Sequence, residues 1–141
     1  MNYGIPYKKT YLLYGKPGCG KTSTINCIAA DFNCDIFIMP MSNEITDSIF
    51  VDAISGIYKS DDDDNNENNK KILVLEDIDC LFEDRKSGDV SKSNLSLQSL
   101  LNCLDGFTTL DGTITIITAN DVNSLDDAMI RSCRIDKSIK Y

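Results

Sequence analysis

The run Gly15-Lys16-Pro17-Gly18-Cys19-Gly20-Lys21-Thr22, with Ser23 adjoining it, follows directly on the apolar stretch Tyr11-Leu12-Leu13-Tyr14. A strand that ends in glycines and then opens a helix turns several backbone N–H groups inward. Those amides, together with the helix dipole, favour a polyphosphate. Lys21 stands where it can neutralise β- and γ-phosphates, and Thr22 where its hydroxyl can reach Mg²⁺. With Gly at roughly 7 % of residues, a chance match to this pattern in a chain this long is on the order of half a percent. A plain glycine turn is set aside on that ground.

Phosphoryl transfer from ATP to water needs more than a cradle: a metal, an oriented water, a sensor of the γ-phosphate and positive charge for the transition state. Glu76 or Asp77 can hold Mg²⁺ through its water shell while the other orients the attacking water. Asn120 can hydrogen-bond that water or the γ-phosphate. Arg131 and Arg134 can serve as arginine fingers, each such finger being worth 10³ to 10⁵ in rate.

These residues need a scaffold that brings distant segments to one edge. Apolar strand-like stretches alternate with segments of helical period, the pattern of an α/β fold with a mostly parallel sheet. Strands are predicted at Tyr11–Tyr14, Asp35–Met39, Lys71–Leu75, Thr113–Thr118 and Ile135–Tyr141. A helix from Lys21 is expected to bury Ile25, Ile28, Ala29 and Phe32. A second, from Ile45 to Tyr58, carries Ile49, Ala53 and Ile57 on one face. A third, from Ser93 to Leu104, buries Leu97, Leu100, Leu101 and Leu104 and is stopped by Gly106. A short helix is expected from Ser124 to Ile130, and Cys80 to Lys92 reads as loop. The continuous apolar run Lys71-Ile72-Leu73-Val74-Leu75 suits a central parallel strand. It delivers Glu76 and Asp77 to the carboxyl edge of the sheet, where open α/β folds bind ligands, and the Thr113 strand brings Asn120 to the same edge.

Composition narrows the partners. With 141 residues the chain makes one domain, and Lys+Arg at 14 against Asp+Glu at 22, a net charge of -8, leaves no basic stripe for nucleic acid. The acidic run Asp61 to Asn69, within a loop of about residues 59–70, repels itself and is read as a solvated surface loop. Six cysteines without C-x-x-C spacing and no histidine to complete a zinc site suggest reduced thiols of an intracellular protein. No apolar run approaches the ~20 residues that span a bilayer, and Met1 to Thr10 lacks the apolar core of a signal peptide.

In order, the phosphate loop, Leu75-Glu76-Asp77-Ile78-Asp79, Thr118-Ala119-Asn120 and Arg131-Ser132-Cys133-Arg134-Ile135-Asp136 resemble an AAA ATPase core over almost the whole chain. Within that superfamily the chain is most similar to the branch of the mitochondrial translocase that inserts the Rieske iron–sulfur protein. Gly4-Ile5-Pro6-Tyr7-Lys8-Lys9, Tyr11 to Gly15 and Leu100-Leu101-Asn102-Cys103-Leu104-Asp105-Gly106 carry that likeness. The resemblance implies a P-loop NTPase αβα sandwich with a five-stranded, mainly parallel sheet across residues 1–141. It further implies ATP and Mg²⁺ as cofactors, a ring of copies (a hexamer, or in this branch a heptamer) and a protein substrate. Arg131 and Arg134 would act on a neighbour's nucleotide, Asn120 would be the residue usually called sensor 1, and Lys21 and Thr22 would bind phosphate and Mg²⁺. Glu76 falls where most of the superfamily has the Mg²⁺-associated Asp, and Asp77 where it has the catalytic Glu.

Some positions depart from the superfamily pattern. Lys16 replaces the usual Pro of the loop, Ser132-Cys133 replaces Pro-Gly between the arginines, and Pro40 to Asp47 lacks the aromatic of an unfolding pore loop. The helical lid implied after Tyr141 and the transmembrane segment implied before Met1 are not in this chain, so it is expected to form the core without lid or anchor. The resulting expectation is Mg²⁺-dependent ATP hydrolysis in an assembled ring, coupled to protein remodelling. The alternatives are an ATP-binding module without turnover and a small P-loop phosphotransferase, for which neither an acceptor pocket nor an arginine-rich lid is visible.

Overall fold

The computed structural model describes residues 8–59, 70–82, 94–105, 113–125, 130 and 135–141. Strands β1 (Lys9–Tyr14), β2 (Asp35–Pro40), β3 (Lys71–Glu76), β4 (Ile114–Ala119) and β5 (Lys137–Lys140) form one sheet in the order β2-β3-β4-β1-β5. Every pairing is parallel. Helices α1 (Lys21–Phe32), α2 (Asp47–Lys59) and α3 (Leu97–Asp105) accompany it, with short 3-10 turns at Ile78–Leu81 and Val122–Ser124.

Apolar residues on successive positions of the central strands serve opposite faces. Leu13, Ile72, Val74 and Ile116 pack with Ile25 and Ala29 of α1. Leu12, Leu73, Leu75 and Ile117 pack with Phe50 and Ile54 of α2 and with Leu100, Leu101 and Leu104 of α3. Period-two alternation within a continuous apolar run thus builds a three-layer αβα sandwich, both sheet faces being covered as parallel strands require.

Two helix faces differ from expectation. Phe32 is 64 % exposed, because it closes α1 at the rim of the sheet beside Tyr11 and Ile114, where only part of its ring finds cover. In α2 the ladder Ile49-Ala53-Ile57 is not the buried one: Ile49 is 56 % exposed, while Phe50 and Ile54 are fully buried and Ile57 packs partly beside them. The two ladders lie one residue apart, and the sheet takes the one whose aromatic ring removes the larger area from water.

The starts of α2 and α3 are also later than predicted, because hydroxyls cap them. Thr46 Oγ1 accepts from Ile49 N at 3.3 Å, and Ser96 Oγ accepts from Ser99 N at 3.1 Å, so α2 begins at Asp47 and α3 at Leu97. Ser96 N in turn donates to Asp47 Oδ1 at 2.6 Å, which ties the two starts together and holds the Asp47 carboxyl below the usual carboxylate range. At the other end of α3, Lys8 Nζ donates to the carbonyls of Cys103 and Leu104. Burial there pushes the Lys8 ammonium below the usual lysine range. Between Ser124 and Ile130, where a helix was predicted, the described residues show a 3-10 turn ending at Ser124, and residues 126–129 lie outside them. The acidic run 61–69 and Gly106 also lie outside the described residues.

The topology decides where a ligand can sit. From β1 the chain passes toward β2 at one side of the sheet, and from β4 toward β5 at the other. β1 and β4 are neighbours, paired from Lys9↔Ile114 to Tyr14↔Ala119. Their carboxyl ends therefore flank a switch point, where the crevice of an open parallel sheet opens.

Candidate functional site

The phosphate loop leaves β1 at this switch point. Gly15 N donates to Ala119 O at 3.2 Å, which anchors the start of the loop to the end of β4. Gly18 and Gly20 hold φ of +78° and +96°, conformations open to glycine at little cost. Gly20 is also the N-cap of α1 and supplies no side-chain cap, and the first turn of α1 holds no acidic residue. The leading N–H groups of α1 are therefore left for an anion, as the dipole at that end favours.

Gly15 is required for a different reason. A Cβ there would lie 2.7 Å from the carbonyl oxygen of Tyr141, whose own N–H bonds to Tyr14 O at 2.8 Å. Gly15→Ala must therefore push backbone against backbone. We expect a loss of about 1–3 kcal/mol, read as a fall in melting temperature of roughly 3–10 °C, and an unshifted melt would show that Tyr141 yields freely.

Lys21 is 7 % exposed and folds back over its own loop. Its ammonium donates to Gly15 O at 2.7 Å, Lys16 O at 3.3 Å and Asn120 Oδ1 at 3.1 Å. Among the described residues no carboxylate pairs with it. Among the described residues its partners are dipoles, an arrangement suited to meeting a phosphate.

The carboxylates and the amide converge from β3 and β4. Thr22 Oγ1 donates to Glu76 Oε1 at 3.0 Å, placing two hard oxygens side by side. Asn120 Nδ2 donates to Asp77 Oδ1 at 3.2 Å. Asp77 itself sits in the left-handed region, φ 54° and ψ 48°, and its N–H donates to Thr118 Oγ1 at 3.0 Å. A non-glycine residue in that region carries strain and is uncommon, although Asp tolerates it better than most. Here it turns the side chain toward the amide of Asn120. Around these groups opens a cleft of about 340 Å³, lined by Pro17 to Ser23 and by Glu76, Asp77, Thr118 and Asn120.

The structure thus brings together most of the residues singled out from sequence. Gly15 and Lys16 stand behind the cleft, where their carbonyls hold Lys21. Arg131 and Arg134, with Ser132-Cys133 between them, lie outside the described residues. Two participants were missed: Thr118, and Asp79, whose Oδ2 accepts from the N–H groups of Asn120 and Asp121 at 3.1 Å each. An acid between Ile78 and Cys80, in a turn of otherwise apolar residues, was the available signal for a buried and partnered carboxylate. Cys19, Cys27, Cys34, Cys80 and Cys103 form no disulfide among the described residues. No helix among the described residues is long and apolar enough to cross a membrane.

A glycine-rich cradle at the switch point of a wholly parallel sheet, with carboxylates and an amide facing it from the next two strands, defines a P-loop NTPase. Residues 11–141 match the family described as ATPase family associated with various cellular activities (AAA), and the chain belongs to it. Among its relatives are the probable mitochondrial chaperone BCS1-A of Dictyostelium discoideum, 40 % identical over 99 % of this chain and 32 % of the relative, and the mitochondrial chaperone BCS1 of Homo sapiens, 35 % identical over 94 % of this chain and 31 % of the relative. The probable mitochondrial chaperone bcs1 of Schizosaccharomyces pombe is 37 % identical over 94 % of this chain and 28 % of its own length. The chain spans about a third of the length of these relatives, and it is similar to the Rieske-translocase branch as the sequence suggested.

Proposed function

We propose that this chain binds Mg·ATP as one AAA core and hydrolyses it when assembled with copies of itself, driving the remodelling or translocation of a protein. The observation that carries the reading is the bonded series Lys21–Asn120–Asp77 at the mouth of the phosphate loop. It joins the residue suited to the β- and γ-phosphates, the residue suited to sensing the γ-phosphate and the carboxylate suited to orienting water.

Each side chain has a defined task in this reading. Lys21 exchanges its carbonyl contacts for phosphate oxygens, and the amides at the head of α1 take the remaining charge. Thr22 and Glu76 fit Mg²⁺, which prefers one or two protein oxygens together with phosphate oxygens and water. Bound there, the ion would neutralise charge on the phosphates. Asp77 accepts from an attacking water, and Asn120, bonded to Asp77, aligns it. Arg131 and Arg134 from a neighbouring copy would supply positive charge for the transition state. The name chaperone, borne by the relatives, supports a protein as the object of the work.

Assembly gives the test. If the arginines act in trans, ATPase activity per chain is expected to rise by ~10² or more as protein concentration increases through the range in which rings form. Activity per chain that stays flat while rings form would overturn trans action. ATP binding with no phosphate release from assembled rings would leave a binding module without turnover.

A further inference from the structure

We propose that Asp79 is the positioning residue of Asn120, holding the sensor backbone in register with the turn that carries Asp77. The proposal rests on the ATPase reading above and deepens it. Asp79 lies in the 3-10 turn Ile78–Leu81 and is 3 % exposed. β4 ends at Ala119, and the next two N–H groups go to a single oxygen of Asp79 instead of to a strand. The other oxygen, Oδ1, is buried without a partner among the described residues. A half-satisfied buried carboxylate costs free energy that a neutral side chain would avoid. Core packing therefore gives no reason for an acid here. What the acid supplies is one charged acceptor for two main-chain donors, a stronger clamp than a neutral oxygen would give.

The clamp acts where placement matters. Both ends of the Asn120 amide are engaged, with Lys21 on one side and Asp77 on the other. Its reach to any third oxygen in the cleft is then set by where its backbone is held. Ala119 O ties the strand end to the phosphate loop through Gly15 N. Asp79 ties the next two residues to the turn of Asp77, two positions away in sequence. Loop, sensor and water-orienting carboxylate become one frame, with Asp79 as its buried joint.

The test compares Asp79→Asn and Asp79→Ala with the unaltered chain, reading kcat, KM and the Kd of a non-hydrolysable ATP analogue. A misplacement on the order of 1 Å at a catalytic group is worth ~10² in rate. Expected are falls in kcat of ~10-fold for Asn and ~10²-fold for Ala, with Kd kept within ~3-fold. In an Asn120→Ala background, Asp79→Asn is expected to lower kcat by no more than ~2-fold further, because it acts through the residue already removed. Losses that add in full would overturn the proposal, as would affinity and kcat falling in step. Should Asp79→Ala not fold, the milder Asp79→Asn carries the same cycle. Hydrogen exchange separates this proposal from the ATPase reading. The Asn120 and Asp121 amides are expected to exchange ~10-fold faster in Asp79→Asn, with those of β1 and α1 unchanged. If assembled rings of the unaltered chain release no phosphate, the ATPase reading falls, and these two amides alone decide: unchanged exchange overturns the assignment of Asp79.

Discussion

Replacing Lys21 by alanine is expected to abolish ATP binding while leaving the empty protein as stable as before, or more so. The two halves of that expectation have one cause. Lys21 is buried, and its charge meets carbonyl and amide oxygens but no carboxylate among the described residues. A buried charge balanced only by dipoles is costly to the folded state. The same charge is worth about 4 kcal/mol against a phosphate at an effective dielectric near 20, which is ~10³-fold in Kd. Thermal melts with and without ATP read both effects. The unaltered chain should gain about 2.7 kcal/mol at a ligand concentration 100 times Kd, and Lys21→Ala should gain nothing. Lys21→Met, which keeps the stem that fills the loop, controls for lost packing and should behave alike. A nucleotide-dependent shift that survives in either variant would show that the cradle is not the site.

Asp77→Asn carries the second large effect. Asn accepts the left-handed conformation as readily as Asp, so the turn at φ 54° and its bond to Thr118 should persist. An amide oxygen can still accept from Asn120 Nδ2, as Asp77 Oδ1 does. On the proposed reading, only the capacity to draw a proton from water is lost. Removal of a positioned general base costs ~10² to 10⁴ in rate, so the variant should bind ATP with unchanged affinity and hold it unhydrolysed. Single-turnover measurement of phosphate release from preloaded protein reads this directly. Glu76→Gln should act differently, because Glu76 faces the Thr22 hydroxyl. Its deficit should appear as a raised Mg²⁺ requirement that added Mg²⁺ partly reverses. Undiminished turnover in Asp77→Asn would move the water-orienting role to Glu76.

Sequence patterns were most informative where short range decides. The central strands, the start of α1 and the face of α3 follow from runs of apolar residues and their period, and all appear where expected. The face of α2 was misread because Ile49-Ala53-Ile57 and Phe50-Ile54 both satisfy a helical period, and only the sheet beneath could choose between them. Helix starts moved because Thr46 and Ser96 cap them through hydroxyls, a local device that hydrophobic spacing does not report.

What the sequence determined by itself is the family and the cast of the candidate site: a phosphate-loop motif from Gly15 to Thr22, two carboxylates ending one strand and an amide ending another. A loop of this kind is a local object, built by glycines, a lysine and the helix that follows, so eight consecutive residues suffice to specify it. Tertiary structure alone decided how the cast is connected. Lys21 meets Asn120 across 99 positions, Thr22 meets Glu76 across 54, and Asp79 grips the Asn120 backbone across 41. The physical reason is that hydrogen bonds of this range form only after the strand order β2-β3-β4-β1-β5 has set three strand ends side by side.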